Sequence, residues 1–345
     1  MADSAVPRPS APGPDVAPST TSLIRRTYAA LDLGTNNCRL LIARPSEDGF
    51  VIVDAFSRIV RLGEGLGANE RLSEPAMDRA IAALRVCADK MQRRRVALAR
   101  SVATEACRRA RNGREFIEQV YAETGIALDV ISPGEEARLA VLGCHHLLEP
   151  GDGPALIFDI GGGSTELVVL DGGSHAEPRI AGWCSLPWGV VSLGETEPHD
   201  TADSAERLAS YRRMRERVAE SAAHYGSHLL AGEPGLPRLM GASGTVTTLA
   251  SIHLGLPVYD RRIVDGSIVP TASMRAISER LSGLSVGERA TIACVGTERA
   301  DLVVAGCAIL EGILDIWPVE RLTVADRGIR EGILRQLMAR DGHRL

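Results

Sequence analysis

The chain has 345 residues, 45% of them hydrophobic, more than one small core can use, so two domains are expected. A formal net charge of -5, with both signs mixed along the chain, excludes a global electrostatic hold on nucleic acid or on an anionic membrane, so an anionic ligand must be gripped locally. Seven cysteines, at 38, 87, 107, 144, 184, 294 and 307, form no C-x-x-C pair and none of the spacings of a zinc site or a secreted disulfide framework, and are expected to be reduced and mostly buried.

The first 22 residues are rich in Pro, Ala and Ser and lack the apolar run of a signal peptide, and no later stretch reaches membrane-spanning length. A disordered tail over residues 1–23 and a cytoplasmic protein are expected. A strand-like run from Tyr28 to Asp32, a polar tip at 33–37 and a second apolar run from Arg39 to Ala43 read as a β-hairpin. A third extended stretch runs from Phe50 to Leu62. Ser73-Glu74-Pro75 then combines an N-cap with a first-turn proline, and predicts a helix with Met77, Ile81, Leu84, Ala88 and Met91 on its inner stripe.

The hairpin recurs 127 positions later (159 minus 32), as the run from Leu156 to Leu170, again as apolar strand, Asp, apolar residue, Gly, hydroxyl and strand. A repeated hairpin at domain-sized spacing predicts two similar α/β domains facing each other across a cleft. Extended structure continues to Leu186, and a long helix is expected from about Asp203 to His228.

Three loops rich in glycine and hydroxyls stand out, at 34–37, 161–165 and 241–245. Glycine lets backbone N–H groups close on a phosphate oxygen. The third loop also leads into helical sequence at Thr245, so a helix N-terminus would face the anion. A Walker loop or a dinucleotide fingerprint needs a helix straight after the glycines, but a strand, Glu166 to Leu170, follows the second loop. One such loop is an ordinary hairpin turn; three together, two with an aspartate at the same offset, point to phosphate binding.

Asp32 and Asp159 at strand ends, with Glu166 just beyond, make an oxygen-ligand set for magnesium, which needs one or two carboxylates plus waters and substrate phosphates. Of four arginines between Arg108 and Arg114, Arg109, Arg111 and Arg114 read as a solvated face. Glu135 and Glu136 at a helix start are ordinary partners of the helix dipole, although a carboxylate between two phosphate-binding domains could also orient a water.

The chain resembles the exopolyphosphatase and guanosine pentaphosphate phosphohydrolase family, within the fold group of actin and the sugar kinases. The matching stretches are DLGTNNCRL from Asp32, RLGEGL from Arg61, ATEACR from Ala103, GEEARL from Gly134, DIGGGSTE from Asp159, GASGT from Gly241 and DRGIREG from Asp326. They run in family order from about residue 28 to 335. The resemblance implies an α/β protein of two ribonuclease-H-like domains flanking a cleft, one over 24–134 and one over 135–328, with a last helix at 329–345 returning to the first.

The resemblance also implies a magnesium-dependent phosphohydrolase acting on inorganic polyphosphate or on guanosine pentaphosphate, the stringent-response nucleotide, as a homodimer. In that assignment Glu136 is the base or water-orienting carboxylate, and Asp159 and Glu166 serve the metal and the nearby water, with Asp32 beside them. Arg108, Gly34, Thr35, Asn36, Gly161, Gly162, Gly163, Ser164, Thr165, Ser243, Gly244 and Thr245 clamp phosphates.

Asn37 stands where the family usually has a second serine, and His199-Asp200 sits in a loop and reads as incidental. A kinase of the same fold group would need a sugar-binding signature that is absent, and a non-catalytic nucleotide-binding protein does not need the glutamate motif. The last expectation is distributive cleavage of polyphosphate with a preference for short chains, because two domains offer a short cationic track.

Overall fold

The structure is a computed structural model that describes residues 26–47, 49–151, 153–172, 178–197, 199–226, 228–230 and 238–343. The expected tail at 1–23 lies outside the described residues. Five strands, β1 (Tyr28–Leu33), β2 (Asn37–Ser46), β3 (Gly49–Ile59), β4 (Leu98–Ala103) and β5 (Leu128–Val130), form a sheet in the order β3-β2-β1-β4-β5. β2 runs antiparallel to both neighbours, and β4 and β5 continue parallel to β1.

The second sheet contains β6 (Ala155–Ile160), β7 (Thr165–Leu170), β8 (Ile180–Leu186), β9 (Arg238–Ala242), β10 (Ile268–Pro270) and β11 (Arg321–Ala325), in the order β10-β11-β9-β6-β7-β8. Read from β8 to β11 it repeats the order of the first sheet, with β10 added antiparallel at one edge. The chain is thus an α/β protein of two ribonuclease-H-like domains, and the duplicated hairpins, β1–β2 and β6–β7, sit at corresponding places.

Side chains alternate across a strand, so the first strand of each hairpin feeds two cores. In β1, Ala29, Leu31 and Leu33 join a core with Ile81, Leu84 and Phe116, whereas Tyr28 and Ala30 pack with Ile333, Leu334 and Met338. Asp32 has the parity of Tyr28 and Ala30. In β6, Leu156, Phe158 and Ile160 face a large core, and Ala155 and Ile157 face Ala137, Val141 and Cys144. Asp159 shares the second parity, so both aspartates stand on the sheet faces covered by the helices Pro133–Cys144 and Ile329–Arg340.

Those two helices cross between the sheets. A Cβ on Gly332 would lie 2.0 Å from the carbonyl oxygen of Leu139, and one on Gly143 would lie 2.0 Å from that of Gly328. Ile329–Arg340 packs on β1, β2 and β4. Leu139 belongs to the core under the first sheet and Ala137 and Val141 to the core under the second, so one helix joins the two.

The helix expected after Ser73 spans Glu74–Arg93, but the Ser73 side chain makes no capping hydrogen bond. Ile81 and Leu84 are buried as expected, while Met77, Ala88 and Met91 flank the core and Ala76, Ala80, Ala83 and Cys87 sit deepest. Small side chains let the helix approach the sheet closely, and the longer methionines fill the margins. The second long helix spans Ser204–Gly226. Six of the seven free cysteines are buried and Cys294 is partly exposed. Among the described residues no helix is long and apolar enough to cross a membrane.

Candidate active site

Both hairpin tips close the same way. Gly34 N–H donates to Asn37 O at 2.9 Å, and Gly161 N–H donates to Ser164 O at 2.9 Å. In both copies the residue seven positions after the aspartate lies directly opposite it in the antiparallel pair, Arg39 opposite Asp32 and Glu166 opposite Asp159. Directly opposed side chains share a face. The first hairpin therefore presents an acid with a base, and the second presents two acids.

The tips meet across the cleft. A Cβ on Gly162 would lie 2.8 Å from Thr35 Cβ and 3.0 Å from Asn36 N, so glycine is what permits this approach. The third loop follows β9. Ser243 caps the helix Gly244–His253 by accepting from Val246 N–H at 3.0 Å, and the amides of Gly244 and Thr245 lie in the first turn, where no intrahelical acceptor is available.

One cavity is lined by all three loops, by Asp32, Asp159, Glu136 and Glu166, and by Arg39, Glu105 and Arg299. Gly34, Thr35, Asn36, Gly161, Gly162, Gly163, Ser164, Ser243, Gly244 and Thr245 all border it. Thr165 does not; it is fully buried, and its hydroxyl donates to Trp188 O at 2.6 Å. The alternation of β7 turns it away from the side that carries Ser164 and Glu166. A second lobe, sharing Asp32, Asp159, Arg39 and Arg299, adds Tyr259, Arg327 and Arg330.

The carboxylates are crowded: Glu136 and Glu166 are buried, and Asp32 and Asp159 are half-buried at the cavity wall. Burial, and then the charge of Glu166, push Asp159 up to about 8, with Arg39 opposing. Burial raises Asp32 as well, against Arg39 and Arg330. Burial raises Glu166, although hydrogen bonds to its Oε1 from Ser164 at 2.8 Å and Ser185 at 3.0 Å favour the charged form. Asp32 Oδ1 and Asn36 Oδ1 are buried with no hydrogen-bond partner among the described residues.

A buried acceptor without a donor is costly, and clustered buried acids relieve their repulsion by taking up protons or a cation. The donor set fits a hard cation. Among the described residues no group of three or more His, Cys, Asp or Glu side chains is placed to hold a metal ion by itself, so a magnesium ion here would rest on one or two carboxylates and complete its shell with water and phosphate oxygens.

Glu136, in the first turns of Pro133–Cys144, is raised well above the ordinary carboxylate range by burial and then by Glu166, with Arg108 opposing. Its neighbour Glu135 faces outward, pairing with Arg100 at 2.8 Å. Arg108 does not border the cavity. Its Nη1 donates to Glu136 Oε2 at 3.0 Å and to Ile131 O at 2.6 Å, and Nη2 and Nε donate to Glu105 Oε2 at 2.8 and 3.2 Å. The expected phosphate clamp is thus occupied by protein acceptors. Arg111 and Arg114 form exposed ion pairs with Glu70 and Glu118.

Sequence reasoning passed over Arg39, Glu105, Arg299 and Arg330. A signal for Arg39 existed in the hairpin, since a tip at 34–37 sets it opposite Asp32. Glu105 lies one turn before Arg108 on a short helix, within the reach of an i, i+3 pair. Arg299 comes from a distant loop and carried no local signal; its Nη1 lies 3.2 Å from Thr248 Oγ1.

A family model described as the Ppx/GppA phosphatase family matches residues 41–341. Exopolyphosphatase 2 of Mycobacterium tuberculosis is 31% identical over 323 residues, covering 90% of this chain and 98% of that protein. The crystal structure of the Aquifex aeolicus member of the Ppx/GppA family is 28% identical and superposes with a TM-score of 0.73, over 92% of this chain and 99% of that one. An exopolyphosphatase from Cytophaga hutchinsonii gives a TM-score of 0.80 at 25% identity, over 92% and 99%. With two duplicated domains, three facing loops and matches of this extent, the chain belongs to the Ppx/GppA phosphatase family.

Proposed function

We propose that the protein hydrolyses the terminal phosphoanhydride bond of inorganic polyphosphate. The observation that carries the reading is Glu136: a buried carboxylate on the wall of a cavity shared by three glycine loops, with Oε2 engaged by Arg108 and Oε1 without a protein partner among the described residues. That oxygen would accept a proton from a water as its oxygen attacks the terminal phosphorus in line. The phosphorus to bridging oxygen bond breaks, releasing orthophosphate and a chain one unit shorter.

The amides and hydroxyls of the loops at 34–36, 161–164 and 243–245 would hold the terminal phosphate as charge develops on it. Asp159 and Glu166 would hold magnesium, with Asp32 beside them, and the ion when bound offsets the charge of the phosphate oxygens. Arg39, Arg299 and Arg330 line the second lobe and would meet the next phosphates of the chain. Guanosine pentaphosphate is a second reading: Tyr259, 38% exposed, lines that lobe, where an aromatic side chain would suit a base.

The test of the mechanism is Glu136→Gln. Turnover of polyphosphate should fall roughly 10²- to 10⁴-fold with KM nearly unchanged, the usual size of a general-base contribution. A folded variant with near-normal kcat would remove Glu136 from the reaction.

A further inference from the structure

The short helix Glu105–Arg109 puts an anion on the wall of a cavity built for anions, and that placement needs a reason. The Glu105 side chain is 26% exposed, and a Cβ on Gly163 would lie 2.9 Å from its Cγ, so its stem rests against the second glycine loop in the opposite domain. A carboxylate there repels an incoming phosphate, which by itself weakens substrate binding. Its other contact explains its presence. Through Oε2 it accepts from Nε and Nη2 of Arg108, while Nη1 of the same guanidinium reaches Glu136 Oε2 and Ile131 O.

A guanidinium is planar with five N–H donors in a fixed fork, so gripping one edge sets the direction of the others. Four of the five donors of Arg108 are used in this arrangement. Among the described residues, Glu105 is the only acceptor on the Nε edge.

Building on the reading of Glu136 as the base, we propose that Glu105 is a positioning residue: it locks Arg108 so that one N–H holds Glu136 Oε2 and leaves Oε1 to the attacking water. Glu105 acts through Arg108 and does not touch the substrate. Two consequences follow from its double character. Removing it loosens the base and lowers kcat, and at the same time it removes a like charge from the cavity, so KM stays level or falls. General damage to the fold would instead raise KM and lower thermal stability.

The experiment is a double-mutant cycle on kcat with inorganic tripolyphosphate as substrate, using Glu105→Ala, Arg108→Ala and the double variant, with a thermal melt of each. Glu105→Ala should lower kcat about 10- to 100-fold, the cost of a misplaced reacting group, with KM unchanged or reduced. In the Arg108→Ala background the same change should have an effect within about twofold, because the two residues act as one unit. Glu105→Gln keeps an acceptor oxygen for Arg108 and should recover part of the lost turnover.

Equal losses from Glu105→Ala in both backgrounds, a wild-type kcat, or a raised kcat would overturn the proposal. The result stays separate from the fate of the base itself. Full turnover in Glu136→Gln would remove the reading this rests on, whereas loss there combined with wild-type kcat in Glu105→Ala would remove only the role of Glu105.

Discussion

Asp159 carries the most consequential electrostatics in the site. Its carboxyl is pushed up to about 8 by burial and by Glu166, so the metal-free folded protein holds a proton there over a pH range in which the unfolded chain, with an ordinary value of 3.8, does not. A raised folded-state value contributes stability that is complete below the unfolded value and is lost as pH rises through the folded one. Without divalent cations, thermal stability should therefore fall between about pH 5 and about pH 8, by an amount of the order of a few degrees. Magnesium should restore more at the upper pH than at the lower, because only ionised carboxylates bind it well. Asp159→Asn should flatten both responses. Thermal scans with EDTA or with magnesium decide the matter; a melting temperature indifferent to pH and to magnesium would place the metal elsewhere.

At the scale of elements, the crossing of Pro133–Cys144 over Ile329–Arg340 is what keeps Glu136 in register with both aspartates. Gly332 stands at the closest point, where any Cβ would meet the Leu139 carbonyl. Gly332→Ala should force the helices apart and cost about 1–3 kcal/mol or more, with reduced turnover. Urea unfolding measures the first effect and phosphate release the second. An alanine variant as stable as the parent would mean that the helices do not touch there.

The hairpins, the aspartates and the three loops were legible in sequence because each is a local pattern of turn glycines and apolar alternation, repeated at one spacing. The grip of Glu105 on Arg108 and the approach of Arg299 were not, because they arise only when distant segments close on one another. Thr165 was placed on the phosphate side because a motif names its neighbours together, whereas the pleat of β7 sends successive residues to opposite faces.

On the scale of the whole molecule, duplication supplies the chemistry. Two copies of one hairpin meet tip to tip, and seven residues after the aspartate one carries arginine and the other glutamate, so one hairpin brings an acid with a base to the cleft and the other brings two acids. The domains are also tied at the rim, by Glu195 accepting from Gly65 N–H at 2.7 Å and by the Arg61–Asp301 ion pair at 2.8 Å. Both ties are exposed or half-exposed and individually weak.

The most direct measurement of the central claim is orthophosphate release in magnesium buffer, run in parallel on inorganic tripolyphosphate, a long polyphosphate of uniform length, guanosine pentaphosphate and ATP. The account predicts release from polyphosphate, abolished by EDTA, with ATP turned over much more slowly because the second lobe presents arginines for further phosphates. No release from either polyphosphate by the folded protein, with or without release from ATP, would contradict it.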